Sequence, residues 1–261
     1  TLIELAIAGQ QGDGDAGVTV ADIEELGANR KGFHALEHLL FNEQGNAVAL
    51  ERLSDDPEAT RRLQFLKALA QHLELQVVEL RAAWTDGRSN YLDVLTDPGD
   101  DNDEYPTVKK VVDTLVNECV FLSEVIADTR LGKPLGVANA GEPQPELEES
   151  PLSDNSRQDV ADSLKSIRDV YLGTRNGRVG QGITTLVQQR SPATDRAVRD
   201  ALDDALAATA DVPRPFSEAI VEHRQAVERA YDAVKVLKRV LGTEVVGALG
   251  AALKFNDNDG D

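Results

Sequence analysis

Apolar residues recur at helical spacing in the first half of the chain and predict two long amphipathic helices. The first follows Pro57, which stands at a typical first helical position. Its apolar positions are Leu63, Leu66, Leu73, Val77, Leu80 and Trp84. Those of the second are Val108, Val111, Val112, Leu115, Cys119, Leu122 and Ile126.

The second half of the chain repeats this arrangement. Ser191 and Pro192 form a typical helix start, with a capping hydroxyl followed by proline. The apolar positions on either side are Val160, Leu164, Ile167 and Tyr171 for one helix, and Ile220, Val227, Tyr231, Val234 and Leu241 for another. Neither half shows the strict alternation that is typical of strands, so we predict an all-α protein.

The segment 132–152 is rich in proline, glycine and glutamate and lacks periodicity, which is typical of an exposed linker. We therefore predict two helical-bundle domains packed side by side, over residues 1–131 and 153–261. The first bundle is expected to be incomplete, because residues 1–17 resemble the remnant of a longer helix.

The charge balance restricts the classes of partner. Lys and Arg number 27 against 46 Asp and Glu, a formal charge of -19, so nucleic acid and anionic membrane surfaces would be repelled. The sequence contains no run of about 18 apolar residues, the length that would predict a membrane span. Cys119 is the single cysteine and is expected to be a buried, inert thiol. Motifs for nucleotide binding, serine hydrolysis and dithiol chemistry are absent from the sequence.

The stretch from Gly32 to Phe41 carries the candidate chemistry. His34 and Glu37 would lie one helical turn apart, where an imidazole nitrogen and a carboxylate oxygen can face one metal ion. His38 extends the pattern to H-x-x-E-H, the motif of inverted zinc proteases, in which two histidines hold zinc and the glutamate activates water. The residues alone leave three interpretations open: a structural pair, a metal site or a protease site.

Other polar residues of the predicted helices are further candidates. Glu79 and Glu118 are possible carboxylate ligands, although glutamate on a helix is usually solvated. His72 stands among polar positions and is expected to be exposed. His223 falls on the apolar side of its predicted helix and is expected to be a core histidine.

Three separated stretches resemble the imelysin family, which is classed among peptidases as family M75 and is related to the EfeO-type iron-uptake proteins. The first is the family's G-x-H-x-x-E motif, here Gly32, His34 and Glu37. The second runs from Ser153 to Gly173, and the third from Ala248 to the C-terminus. Three matches in order are more specific than one.

The resemblance implies a two-domain helical protein of the periplasm or cell surface, linked to iron supply and in some cases lipid-anchored through a removed N-terminal segment. It also implies a site near an interdomain crevice. The residues concerned are the metal ligands His34 and Glu37, with His38 as a further candidate, the motif glycine Gly32, and the crevice residues Ser153, Ser156 and Asp159. From the residues alone, the last three could instead cap a helix.

Three hypotheses about function follow. The first is a non-catalytic envelope protein that binds a divalent or ferric metal ion, with iron preferred over zinc and other iron-uptake or envelope proteins as partners. The second is a zinc-dependent metallopeptidase in which Glu37 activates water. The third is a module that binds an extracellular polymer or protein without metal. A zinc protease needs a third ligand and an open coordination position. The sequence identifies only the first pair of ligands clearly, so it favours binding over catalysis.

Overall fold

A computed structural model describes residues 2–9, 17–41, 59–87 and 90–253 of the chain. Within these ranges every secondary-structure element is helical apart from one two-stranded hairpin, which confirms the all-α prediction. The chain divides into two compact units, Thr1–Thr96 and Asp97–Asp261.

The first unit contains five α-helices among its described residues. They are α1 (Leu2–Gly9), α2 (Val20–Glu24), α3 (Phe33–Leu40), α4 (Ala59–Thr85) and α5 (Tyr91–Thr96), with a 3-10 turn at Ala28–Arg30. The core of this unit consists of Ala6, Ile7, Ile23, Ala35, Leu39, Phe65, Ala68 and Leu69. Pro57, the predicted start of α4, lies outside the described residues.

Helix α4 has two apolar faces, and only one of them is buried. Its buried positions lie between Ala59 and His72 and include Phe65 and Leu69. The face predicted from the sequence continues instead through Val77 and Leu80, and Leu80 is 62% exposed. No helix in the described ranges combines the length and the apolar character needed to cross a membrane.

His72 lies on the buried face of α4, which corrects the expectation that it is exposed. Its side chain is only 8% exposed, and its Nδ1 atom has no hydrogen-bond partner among the residues that the structure describes. The reason is the direction of the helix surface: position 72 lies one turn beyond Leu69 and two turns beyond Phe65, and both of these residues pack into the core.

The second unit is built on longer helices and carries the hairpin. Its α-helices are α6 (Val108–Glu124), α7 (Ser156–Leu172), α8 (Ile183–Arg190), α9 (Pro192–Ala210), α10 (Phe216–Glu222), α11 (Arg224–Arg239) and α12 (Val246–Leu249). Two π-helical segments, Val125–Gly132 and Val240–Val245, extend α6 and α11, and Pro145–Leu147 forms a 3-10 turn. Strands β1 (Thr174–Arg175) and β2 (Arg178–Val179) pair antiparallel.

Helices α7 and α9 follow the sequence prediction closely. The four predicted apolar positions of α7, Val160, Leu164, Ile167 and Tyr171, are all buried in the core of the second unit. At the start of α9, the Ser191 hydroxyl accepts a hydrogen bond from the backbone N–H of Thr194. The local spacing and capping rules therefore predicted these elements correctly.

The observed division of the chain lies earlier than the linker expected at 132–152. Helix α6 belongs to the second unit, because its residues Val116 and Cys119 pack in the same core as α7. The segment 132–152 itself is folded against this unit, with Leu135 in the core. Its prolines and glycines form tight turns there rather than a free connection.

The long helix predicted through Ile220 and Leu241 is interrupted at His223. The backbone of His223 has φ -121° and ψ 33°, which is not helical, so α10 ends at Glu222 and α11 begins at Arg224. His223 is exposed at this break, and the expectation of a core histidine was wrong. Ile220 and Val227 are nevertheless both buried, as predicted.

Cys119 is buried in the second unit, as expected for a structural thiol. Burial raises the pKa of Cys119 to about 12, and the charge of Glu118 acts in the same direction. Because the thiolate is the reactive form, we expect the folded protein to resist a thiol-specific disulfide reagent at pH 8. In denaturant the same assay should titrate one thiol per chain, whereas rapid labelling of the native protein would contradict this account.

Candidate functional site

The G-x-H-x-x-E motif forms the start of helix α3. Gly32 precedes the helix with φ +92°, a backbone conformation that residues with a Cβ rarely adopt. A Cβ at Gly32 would meet no described residue within 4 Å, so the backbone angle and not crowding explains the glycine. The turn directs the chain into α3, whose Ala35 and Leu39 pack into the core of the first unit.

His34 and Glu37 meet on the first turns of α3. The Nδ1 atom of His34 lies 3.2 Å from Oε2 of Glu37, at hydrogen-bonding distance. Glu37 is 9% exposed, while His34 is 61% exposed. The pair therefore combines a nearly buried carboxylate with an accessible imidazole, and the structure brings together the two residues that the sequence singled out.

His38 has a different environment from His34. Its Nε2 atom lies 3.0 Å from Oε1 of Glu4, on α1. The Arg62 guanidinium on α4 also binds the Glu4 carboxylate, and it holds the pKa of Glu4 below its ordinary value; burial opposes this effect and His38 reinforces it. His38 thus helps to join α3 to α1 and α4 in a cluster of three side chains.

The described residues contain no group of three or more His, Cys, Asp or Glu side chains arranged to hold a metal ion. Glu79 and Glu118 are both exposed, in agreement with the usual behaviour of glutamate on a helix. The inverted zinc-protease pattern would need His34 and His38 on one ion, whereas their observed partners are Glu37 and Glu4.

Ser156 and Asp159, two of the three candidate crevice residues, hold the segment before α7 against that helix. The Ser156 hydroxyl accepts a hydrogen bond from the backbone N–H of Ser150 at 2.9 Å. The Asp159 carboxylate accepts bonds from the Ser150 hydroxyl and from the Asn155 amide, both at 2.7 Å. Ser153 is half-buried in the turn between Ser150 and Asn155.

These contacts differ from helix capping, the role that the residues alone suggested for the three crevice candidates. Asn155 occupies the N-cap position of α7, and its side chain makes no capping hydrogen bond. The Ser156 hydroxyl and the Asp159 carboxylate instead bind Ser150 and Asn155, which precede the helix.

Arg130 joins this region from the π-helical segment after α6, and sequence reasoning did not single it out. Its guanidinium donates to the backbone carbonyl of Asp159 at 3.2 Å and to the Ser163 hydroxyl. It also forms an ion pair with Glu149. The sequence carried no local signal for Arg130, because 29 positions separate it from Asp159.

Asp195 is the centre of a second polar network that the sequence did not predict. Its Oδ1 atom accepts hydrogen bonds from Tyr171 at 3.0 Å and Thr184 at 2.5 Å, and its Oδ2 atom accepts one from Arg199 at 2.9 Å. Burial alone would raise the pKa of Asp195, but the hydrogen bonds from Thr184, Arg199 and Tyr171 outweigh it and lower the pKa. Burial and the neighbouring carboxylate raise the pKa of Tyr171. The network ties α7, α8 and α9 together.

Comparison with solved structures shows that the fold is known. A crystal structure described as an iron-regulated protein A precursor from Parabacteroides distasonis matches with a TM-score of 0.77 and 22% identity, over 95% of this chain and 71% of that one. An imelysin peptidase from Bacteroides ovatus matches with a TM-score of 0.58 and 23% identity, over 67% of this chain and 50% of that one.

Comparison at the sequence level identifies the family. The iron-regulated protein A of Synechococcus elongatus is 27% identical over 229 residues, which cover 86% of this chain. The chain spans about 60% of the length of that relative. The family model of the imelysin peptidases matches residues 2–241. The chain therefore belongs to the imelysin family.

Proposed function

We propose that this protein binds iron as cargo in the cell envelope and that His34 and Glu37 supply two of the ligands. The observation that carries the proposal is the 3.2 Å approach of the imidazole Nδ1 and the carboxylate Oε2 within the family's motif. Iron is proposed over zinc because two of the similar proteins are named iron-regulated.

The separation of the two donors suits a shared metal ion. Nitrogen and oxygen ligands lie about 2.1 Å from a first-row metal, and two such ligands at about 90–110° are then about 3.0–3.4 Å apart. His34 and Glu37 fall within this interval without rearrangement of α3. The exposed imidazole gives the ion access, and the buried carboxylate offsets its charge where water is scarce.

Two protein ligands are too few to hold a metal tightly, because structural and catalytic sites use three or four. We therefore propose that the coordination of the iron is completed by its own water or carrier ligands, or by residues outside the described ranges. Carboxylate and imidazole donors are both suitable for iron, so the donor set agrees with the proposed cargo.

The test is a titration of the purified protein with ferrous, ferric, zinc and copper ions, accompanied by elemental analysis. We expect about one iron per chain in the wild type, and affinity lower by about 10- to 100-fold in both His34→Ala and Glu37→Gln. Glu37→Gln keeps the size of the buried side chain, so a loss of binding would report on the carboxylate rather than on misfolding.

Three variants act as matched controls. His223→Ala removes an exposed histidine of the second unit, and Glu79→Gln removes an exposed carboxylate of α4. We expect both to bind iron like the wild type. His38→Ala tests the H-x-x-E-H alternative: because His38 contacts Glu4, we expect its loss to change iron affinity by less than about threefold.

Two results would overturn the proposal. The first is the absence of binding by the wild type, which would favour a module for a polymer or protein ligand. The second is zinc binding that requires His38, together with cleavage of an unfolded protein substrate that Glu37→Gln abolishes. That result would support the metallopeptidase hypothesis in place of the iron-binding proposal.

The proposed location is the periplasm or the cell surface, where a lipid anchor is one means of attachment. The support for this location is the resemblance to the imelysin family, which implies an exported protein. Fractionation of cells that express the natural gene, with detection by antibody, would test it. Recovery with the cytoplasmic fraction would contradict the proposed location.

A further inference from the structure

The hairpin between α7 and α8 projects two arginines from the second unit. Strands β1 and β2 are joined by Asn176 and Gly177, whose φ angles of 49° and 77° are those of a type I′ turn. In this register Arg175 stands directly opposite Arg178. Side chains at directly opposite positions point to the same face of a hairpin, so both guanidinium groups belong to one face.

The base of the hairpin is held by close contact between backbone atoms. Gly180 donates a hydrogen bond to the carbonyl of Gly173 at 2.7 Å. A Cβ at Gly182 would lie 2.3 Å from the backbone nitrogen of Gly173, so no side chain fits between the two strands of chain. Tyr171, two residues earlier, is fixed by Asp195. The two arginines therefore extend from a firmly held base.

The two arginines place like charges opposite one another on the hairpin. Like charges at directly opposite positions of a hairpin destabilise it. Within the described part of the chain, neither Arg175 nor Arg178 forms a hydrogen bond or an ion pair through its side chain. No acidic residue occurs between Asp169 and Asp195, although the whole chain has 46 of them, so the hairpin itself carries only positive side-chain charge in a molecule of net charge -19.

A cavity beside the hairpin offers room for a ligand. Its volume is about 760 Å³, and Arg175, Asn176, Arg178 and Val179 contribute to its lining together with glycines. All the charged groups in this lining are guanidinium groups. Arg175 also borders a second cavity of about 720 Å³, on the side of α7, where Asp162 and Asp169 are present. The carboxylates near Arg175 therefore border the second cavity, and among the described residues the two guanidinium groups are the only charged groups that line the first.

We propose that the hairpin binds an oxyanion of charge -2 or more, a phosphate or a polycarboxylate, between Arg175 and Arg178. The planar guanidinium matches both groups, because each presents two oxygens to a pair of N–H donors. A dianion would offset the repulsion of both arginines at once. This site belongs to the second unit and is independent of the iron proposed at His34 and Glu37.

The experiment is a nuclear magnetic resonance titration of the whole chain, in low salt, with inorganic phosphate in one arm and citrate in the other. We expect shifts of the backbone amides of residues 176–180 that saturate at millimolar concentration, and a weakening as sodium chloride is added. The arm with the tighter binding identifies the ligand as a phosphate or a carboxylate.

The double variant Arg175→Gln with Arg178→Gln should lower the affinity by at least about tenfold. The matched control is Arg190→Gln, which removes an exposed arginine of the same acid-free stretch but outside the hairpin. Its affinity should remain within about twofold of the wild type. Far-ultraviolet circular dichroism would confirm that all variants fold.

Two results would overturn the proposal. One is the absence of hairpin shifts with both anions. The other is an equal loss of affinity in the control and in the double variant, which would mean that the anions respond to the net charge of the chain and not to the paired guanidinium groups.

Discussion

Replacing Gly136 with alanine is expected to destabilise the second unit by about 3–5 kcal/mol, enough to lower its melting temperature by about 10 °C. Gly136 has φ +72°, and a Cβ there would lie 1.8 Å from the carbonyl oxygen of Glu142. Backbone atoms cannot move aside as a flexible side chain can, so the turn would have to open. Thermal and urea denaturation followed by circular dichroism would measure the loss.

The control for this substitution is Gly247→Ala. Gly247 lies in α12, and a Cβ there would meet no atom of the described part of the chain within 4 Å, so alanine should be neutral or stabilising by up to about 1 kcal/mol. If 132–152 were a free linker, as its composition suggested, Gly136→Ala would have an equally small effect. That outcome would contradict the folded turn.

Asp195→Ala is the second substitution with a large expected effect, a loss of about 3–5 kcal/mol in the free energy of unfolding. The change leaves the buried Tyr171 hydroxyl and the Thr184 hydroxyl without their acceptor and removes the carboxylate that binds Arg199. Urea unfolding at pH 7 would measure it. Asp203→Ala, an exposed aspartate of the same helix, should change stability by less than about 0.5 kcal/mol.

The pH dependence of stability gives an independent test of the same network. Because the folded pKa of Asp195 is below its ordinary value of 3.8, its contribution is present above that value and is lost as the pH falls through the folded pKa. We therefore expect the difference in unfolding free energy between wild type and Asp195→Asn to shrink below about pH 4. A difference that stays constant down to pH 2 would contradict the assigned ionisation.

Apolar spacing and capping patterns correctly predicted the helices whose buried face and start can be recognised from their own sequence. The spacing of Val160, Leu164, Ile167 and Tyr171 marks one face of α7, and that face is the buried one. The start of α9 was equally local, because the Ser191 hydroxyl binds an N–H three residues later. Such features need no knowledge of the neighbouring helices.

Helix α4 shows where the same reasoning fails. Its sequence contains two apolar faces, one through Phe65 and Leu69 and one through Val77 and Leu80. Periodicity cannot tell which of them packs, because the choice depends on where α1, α2 and α3 lie. His72 was misplaced for this reason: it belongs to the face that the sequence pattern did not favour.

The contacts of the candidate site are likewise of two kinds, those that local sequence predicts and those that depend on tertiary packing. His34 and Glu37 are three residues apart, so helix geometry alone brought them together, and their role as metal ligands stays a prediction. The contacts of Arg130 and Asp195 depend on tertiary packing and had no sequence signal. The hairpin did have one, since Asn176–Gly177 is a favoured type I′ turn, but strands of two residues are too short for alternation to show.

The closure of the hairpin by Gly173 and Gly182 has a consequence for protein engineering. Main-chain atoms make the closest contacts at the base of the hairpin, so the residues beyond it can change in number and kind without disturbing the helices below. A peptide tag or a fluorescent reporter inserted between Asn176 and Gly177 should therefore leave the fold intact. The hairpin tip is the natural place to attach the molecule to a sensor surface.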